Sequence, residues 1–279
     1  MRKLTSRLAL LAVLLLSTLL AGAGLPGPAG AVERPNLQRA LLATVRVAVP
    51  IESERDAYST GSGTILTEDG LILTNFHVMG DPDRGTLFNR DGVAFVAVNP
   101  ASLKGLPTWL YQAEVVRADP TLDLALLKVT GYLEGNDPLP SSLGLVSIDL
   151  GNSDQLAIGD ELSVIGFPGI GGDTVTFTQG KVSGFLDEDR NNVFEWIKTD
   201  AEVNHGNSGG LAIDEAGHMV GVPTAGVSDV EAAGKISLIR PINLARPLVQ
   251  IGDLPQQFRD FVEGETDDTS SLQQFNMNM

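Results

Sequence analysis

Between residues 32 and 251 the chain alternates short runs of Val, Ile, Leu and Thr with Gly, Asp and Asn. The runs at 43–49, 63–67, 71–74, 124–129, 162–165, 175–182, 220–222 and 235–239 have the length and composition of strands. Turn signals such as Glu68-Asp69-Gly70 and Asp214-Glu215-Ala216-Gly217 separate them. Helical periodicity is scarce, so the pattern predicts an all-β chain, a barrel or a sandwich. Two short helices are expected at the ends. Asn36 would cap one running to about Ala43, and Asn243 one running to about Gln250, with Pro247 at the edge of its first turn.

The same pattern divides the chain. Residues 1–31 read as a signal peptide: Arg2, Lys3 and Arg7, an apolar run over 8–20, then Ala29-Gly30-Ala31 as the cleavage signal, with Ala21-Gly22-Ala23 as a second choice. The run is short for a membrane span, and no cysteine is present to carry a lipid. Residues 32–133 form a first β unit and 146–251 a second, joined by a linker at 134–145 that contains Gly135-Asn136-Asp137-Pro138-Leu139-Pro140-Ser141-Ser142. The tail at 252–279 carries six acids against one arginine and is expected to be disordered, apart from a weak helix near 258–262. The expectation is a secreted or periplasmic protein with no stable membrane anchor after signal cleavage.

Composition narrows the chemistry. The 279 residues hold 19 Lys and Arg against 35 Asp and Glu, a formal net charge of −16, which argues against nucleic acid as a partner. The absence of cysteine excludes disulfides, cysteine nucleophiles, thiolate zinc sites and Fe–S clusters. His77, His205 and His218 are the only imidazoles. The acidic stretch Asp187-Glu188-Asp189-Arg190-Asn191-Asn192 hints at calcium, but Asn192 stands where an EF-hand needs glycine and Lys198 where it needs glutamate. No metal and no cofactor are expected.

The sharpest local signal is Gly206-Asn207-Ser208-Gly209-Gly210. A serine nucleophile needs backbone N–H groups aimed at a developing oxyanion, and flanking glycines permit that turn. A histidine, His77, ends the run Ile72-Leu73-Thr74-Asn75-Phe76, and an aspartate, Asp123, opens the run Leu124-Ala125-Leu126-Leu127-Lys128-Val129. Serine needs a base, and the base needs a carboxylate. Their chain order, His, Asp, Ser, is that of the two-barrel serine proteases. Asp119 reads as a turn residue and His218 as a solvated strand residue.

These segments resemble the trypsin-like serine proteases of the HtrA (Deg) type. The resemblance rests on Ser59-Thr60-Gly61-Ser62-Gly63, Leu73-Thr74-Asn75-Phe76-His77-Val78, Asp123 through Val129, and Thr199-Asp200-Ala201-Glu202-Val203-Asn204-His205 running into Gly206-Asn207-Ser208-Gly209-Gly210. Leu150-Gly151-Asn152-Ser153-Asp154, Gly159-Asp160, Gly166-Phe167-Pro168-Gly169, Gln179-Gly180-Lys181-Val182-Ser183-Gly184 and Val220-Gly221-Val222-Pro223-Thr224-Ala225 extend it in family order over about residues 40–250. It implies two perpendicular six-stranded antiparallel β-barrels with the active site in the cleft between them, and a short C-terminal helix.

By the same resemblance His77 is the general base, Asp123 its orienting carboxylate and Ser208 the nucleophile, with the N–H groups of Gly206 and Ser208 as oxyanion hole. Val203, Val222, Thr224 and His205 are the implied substrate contacts, although His205 also reads as a plain loop side chain. The apolar, branched Val203 and Val222 would favour small aliphatic residues before the scissile bond, in extended or unfolded protein substrates. The chain departs from the family in three places. Asn207 replaces the aspartate that in digestive relatives pairs with a new N-terminus. The residues after Ile251 are too few for the usual PDZ domain, which leaves the oligomeric state open. Residues 80–112 read as an insertion in the first barrel. An exported serine endopeptidase, a non-hydrolytic peptide-binding or chaperone-like protein on the same fold, and an esterase using the same triad all fit these residues.

Overall fold

A computed structural model describes residues 32–169, 172–224 and 236–249. The signal-peptide and tail expectations lie outside the described residues. Helix α1 (Arg34–Ala43) leads into β1 (Thr44–Pro50), β2 (Tyr58–Ile65) and β3 (Leu71–Thr74). A four-residue helix, α2 (Phe76–Met79), and a small ladder of β4 (Gly80–Asp81) with β5 (Thr86–Leu87) follow. Then come β6 (Val93–Val98), β7 (Thr108–Asp119) and β8 (Leu124–Tyr132). These strands close into an antiparallel barrel of order β1-β2-β3-β8-β7-β6.

The second barrel is built from β9 (Glu161–Gly166), β10 (Thr176–Leu186), β11 (Trp196–Thr199), β12 (Leu211–Ile213), β13 (Met219–Thr224) and β14 (Ser237–Pro241). It closes in the order β10-β11-β14-β13-β12-β9, again antiparallel throughout. A 3-10 turn over Ile242–Ala245 and helix α3 (Arg246–Val249) pack back onto the barrels. The sequence-derived fold class is the one observed.

Three apolar clusters hold this arrangement. One fills the first barrel with Val45, Val47, Ile65, Ile72, Val96, Ala113, Ala125 and Leu127. A second fills the other barrel with Leu162, Val164, Val182, Ile197, Ala212, Val220 and Ile239. The third lies between them, and gathers Leu71, Leu73, Leu124 and Leu126 from the first barrel with Ile165, Leu211, Ile213, Met219 and Val222 from the second. Because side chains alternate along a strand, Ala125 and Leu127 point into the first barrel while Leu124 and Leu126 meet the other one. That is why β8 reads as an uninterrupted apolar run: both faces are buried.

The structure corrects several sequence expectations. Of the stretch 80–112, residues 93–98 are barrel strand β6 and the first part of β7 begins at Thr108, so the insertion is confined to the connections. In β6 every residue is at least half-buried, with Ala94 and Val96 inside the barrel. Asn36 does not cap α1. The helix begins earlier, at Arg34, with Pro35 in its first turn, and the Asn36 amide instead donates to the Ala216 carbonyl at 2.8 Å. Asn243 lies inside the 3-10 turn, where its amide donates to Asn152 Oδ1 at 2.7 Å rather than capping a helix. The connection at 134–145 runs along the first barrel: the N–H groups of Leu143 and Leu145 both reach the Glu68 carbonyl, and their side chains pack on that barrel's core.

The β2–β3 turn carries a test of this packing. Asp69 accepts from Thr67 Oγ1, and its Oδ2 lies 2.7 Å from Lys128 Nζ. Partial burial pushes the Asp69 carboxyl up, but the Lys128 ammonium and the Thr67 hydroxyl outweigh it, and the carboxyl ends below its usual range. The resulting stabilisation is present above the unfolded carboxyl value and is lost as pH falls through the lower folded value. Since Asp69 is half exposed, Asp69→Asn is expected to cost no more than about 1 kcal/mol at neutral pH. That difference from wild type should vanish in acid, as read by urea unfolding at several pH values.

Candidate active site

The seam between the barrels gathers the polar residues singled out in the sequence. His77 is the second residue of α2, which starts where β3 ends. Its ring Nδ1 lies 2.7 Å from Asp123 Oδ2, and its backbone N–H donates to Asp123 Oδ1 at 2.8 Å. One carboxylate therefore holds both the ring and the backbone of the histidine. Asp123 reaches this position through a turn whose carbonyl at Pro120 accepts the Asp123 N–H at 3.3 Å. Its φ of 55° is left-handed, a conformation that aspartate tolerates better than most side chains. Asp119 stabilises the same turn by accepting from the N–H groups of Thr121 and Leu122. It is a turn residue, as its sequence suggests. The Asp123 side chain is 14% exposed and that of His77 33%, so the carboxylate lies beneath and one edge of the ring faces outward.

The serine turn comes from the other barrel. Gly206 and Gly209 have φ of 99° and 80°, which L-residues rarely adopt. Moreover, a Cβ on Gly206 would run into the Phe167 carbonyl, and one on Gly209 into Thr74 and Ser62. Peptide planes along the turn are pinned by their oxygens. The His205 carbonyl accepts from Gly169 N–H at 2.9 Å, the Gly206 carbonyl from Ser62 Oγ at 2.6 Å, the Asn207 carbonyl from Gly210 N–H at 2.9 Å, and the Ser208 carbonyl from Ser62 N–H at 2.8 Å. In a trans peptide the C=O and N–H point to opposite sides. The N–H of Gly206 is thus turned away from Gly169, and that of Ser208 away from Gly210.

Asn75 joins the two halves. Its side-chain oxygen accepts from Gly209 N–H at 2.6 Å, and its amide nitrogen donates to the Asp123 carbonyl at 2.8 Å and to Thr224 Oγ1 at 3.1 Å. All of its side-chain polarity is used in these bonds, which also fixes the orientation of the amide. Asn75 occupies the position before α2, where asparagine commonly caps a helix, yet it makes no capping bond. Asn75 and Ser62 were not singled out from the sequence. For Asn75 the available signal was a polar residue between the apolar run ending at Leu73 and Phe76.

The implied substrate residues scatter. Val203 is half-buried with its N–H on Ser237 Oγ at 3.2 Å. His205 is exposed, and so is His218, whose ring lies 3.6 Å from Asp214. Val222 departs from its expected role. It is wholly buried in the inter-barrel cluster. The Thr224 hydroxyl is engaged by Asn75 and belongs to the network under His77. Asn207 is buried and uncharged, with its Oδ1 against Gly166.

The acidic stretch forms a turn in which Asp187 accepts from the N–H groups of Asn191 and Asn192. Among the described residues no group of three or more His, Asp or Glu could hold a metal ion. Behind the site, Arg240 is almost fully buried with its guanidinium 3.5 Å over the Trp196 ring and Nη1 donating to the Glu195 carbonyl at 2.9 Å. Burial lowers its pKa despite the opposing pull of Asp123, Glu188, Glu195 and Asp119.

Residues 61–222 match the family model described as a trypsin-like peptidase domain. The chain is 31% identical over 196 residues to the "Probable periplasmic serine endoprotease DegP-like" of Rickettsia prowazekii (strain Madrid E), covering 68% of this chain and 33% of that protein. It is 31% identical over 242 residues to the magnetosome formation protease MamE of Magnetospirillum gryphiswaldense, covering 84% of this chain and 27% of that one. The chain spans about a third of the length of the curated relatives it matches. Among solved structures it is similar to an HtrA-type protease, AlgWS227A with tripeptide, at a TM-score of 0.56 and 29% identity, covering 77% of this chain and 61% of that one. The serine endoprotease from Yersinia pestis gives a TM-score of 0.56 at 28% identity, over 81% and 66% of the two chains.

If Asn75 is the knot between the barrels, Asn75→Ala strands buried polar groups on both sides of the seam. A loss of about 1–3 kcal/mol is expected, measured as a lower urea midpoint with an unchanged denaturant slope.

Proposed function

Because the chain belongs to the trypsin-like peptidase family, with HtrA- and DegP-like proteins among its relatives, we propose that it is a serine endopeptidase cleaving extended protein chains. In this reading Ser208 Oγ attacks the scissile carbonyl while His77 Nε2 takes its proton. Asp123 holds the imidazole by Nδ1 and balances the imidazolium that forms. The N–H groups of Gly206 and Ser208 receive the oxyanion. His77 then gives the proton to the leaving amine, and water, activated by the same ring, releases the acyl group. The observation that carries the proposal is the double grip of Asp123 on His77, with the glycine-rich serine turn tied to the same corner through Asn75.

Specificity is assigned to Val203, the half-buried apolar side chain just before the serine turn, with His205 exposed beside it. Glu202 lies nearby but is exposed, and its carboxylate accepts from the Asn204 amide at 3.2 Å. A cationic substrate side chain against Val203 would lose hydration without a counter-ion. Small aliphatic residues are therefore favoured before the cleaved bond. An extended substrate segment can add to the barrel as a strand. With the charge pattern of residues 1–31 and periplasmic relatives, the place of action is extracytoplasmic.

The deciding experiment is casein hydrolysis by wild type and Ser208→Ala. The variant should lose activity by about 10⁴-fold or more, together with labelling by a fluorophosphonate. Equal hydrolysis by the two proteins would refute the assignment. In denatured casein, mass-spectrometric cut sites should fall after Val, Ala and Leu. Dominant cleavage after Lys, Arg or Glu would refute the role given to Val203.

A further inference from the structure

Ser62 belongs to the first barrel, yet most of its hydrogen bonds cross to the second. It is fully buried on β2, paired with Arg46 of β1, between two glycines. Its hydroxyl donates to the Gly206 carbonyl at 2.6 Å and accepts from the Phe167 N–H at 2.9 Å. Its N–H donates to the Ser208 carbonyl at 2.8 Å, and its own carbonyl accepts from Thr74 Oγ1 at 2.7 Å, one residue before Asn75. A hydroxyl has one proton to give and lone pairs to receive, and here both functions are in use. Two carbonyls of the serine turn, on either side of Asn207, are therefore held by one residue of the opposite barrel.

The neighbouring glycines fit this role. A Cβ on Gly61 would collide with Val78 and crowd the Ser208 carbonyl, and one on Gly166 would crowd Asn207 and the Ser62 hydroxyl. The backbone of the serine turn thus lies directly on Ser62, with no room for another side chain between them. The Phe167 N–H held by Ser62 starts the segment whose Gly169 N–H fixes the His205 carbonyl. Ser62 consequently bears on these amides through neighbouring planes: by holding the Gly206 and Ser208 carbonyls it fixes the two peptide planes that flank the one carrying the Ser208 N–H, and through residues 167–169 it supports the His205 carbonyl, whose plane carries the Gly206 N–H.

Resting on the triad reading above, we infer that Ser62 is a positioning residue that fixes the direction of the oxyanion-binding N–H groups of Gly206 and Ser208. It touches neither substrate nor the reacting atoms. Its effect belongs to the transition state, because the carbonyl oxygen approaches those N–H groups fully only as charge develops on it. Loss of the Ser62 hydroxyl frees the peptide plane after Gly206 and loosens the 167–169 segment, while the groups that bind the ground-state peptide stay in place.

The test compares wild type, Ser62→Ala and Ser62→Cys on a peptide amide substrate. A peptide boronate, whose tetrahedral adduct places an oxygen where the oxyanion forms, and an uncleavable peptide of the same sequence serve as ligands. For Ser62→Ala, kcat should fall about 10- to 100-fold with KM changed less than about threefold. Affinity for the boronate should fall by the same factor as kcat, and affinity for the uncleavable peptide should hold. Ser62→Cys, of similar size but a weak donor and acceptor, should lie between the two. If Ser62→Ala does not fold, Ser62→Cys carries the same comparison alone. Wild-type kcat in the folded variants, or equal losses for boronate and uncleavable peptide, would overturn the inference. Failure of wild type itself to react with a fluorophosphonate would instead overturn the triad reading, and this inference with it.

Discussion

The site is divided between two closed barrels, and closure imposes the main constraint on it. A closed barrel satisfies its backbone N–H and C=O groups within its own ladder. It leaves few backbone groups, such as the Ser62 N–H, with which to hold a neighbour. The two barrels are therefore fixed by the apolar cluster between them, built on Leu73, Leu124 and Leu126 against Leu211, Met219 and Val222, and by a few polar bonds at its rim. Burial of this cluster sets the distance between the barrels but is non-directional. Direction comes from Asn75 and Ser62, which bond across the seam with defined geometry.

This division of labour explains the placement of the glycines. Where the barrels approach at the serine turn, backbone lies on backbone, and Gly61, Gly166, Gly209 and Gly210 leave no side chain to separate the chains. The positive φ of Gly206 and Gly209 then lets successive amides turn, while their carbonyls are tied back into the structure. Asp123 accepts a similar conformational cost at the mouth of β8, offset by hydrogen bonds from the His77 N–H, the Phe76 N–H and the Asn75 amide.

Much of this was legible in the sequence, and the rest was hidden for identifiable reasons. The runs at 71–74 and 124–129 stood out because both faces of those strands are buried, so nearly every position is apolar. Strand β7 was missed because it is long and mostly half-exposed, with polar residues interleaved, and β11 and β12 because four and three residues carry little periodicity. Strand β6 is apolar throughout, but the unusual length of the surrounding stretch drew it into an apparent insertion. The cap assignments to Asn36 and Asn243 failed because asparagine side chains serve tertiary bonds as readily as helix ends. His77, Asp123 and Ser208 carried strong local motifs, whereas Asn75 and Ser62 act over long sequence separations that no local pattern encodes.

The closure of both sheets has a consequence for encounters with other chains. An open sheet edge presents a row of unpaired donors and acceptors onto which any extended segment can add, and such edges seed aggregation. Among the described residues both large sheets are barrels, and the one open ladder, β4 with β5, is two residues per strand. Strand addition by an extended chain is then confined to local sites on a closed ladder, so resistance to runaway sheet growth rests on topology rather than on charge alone.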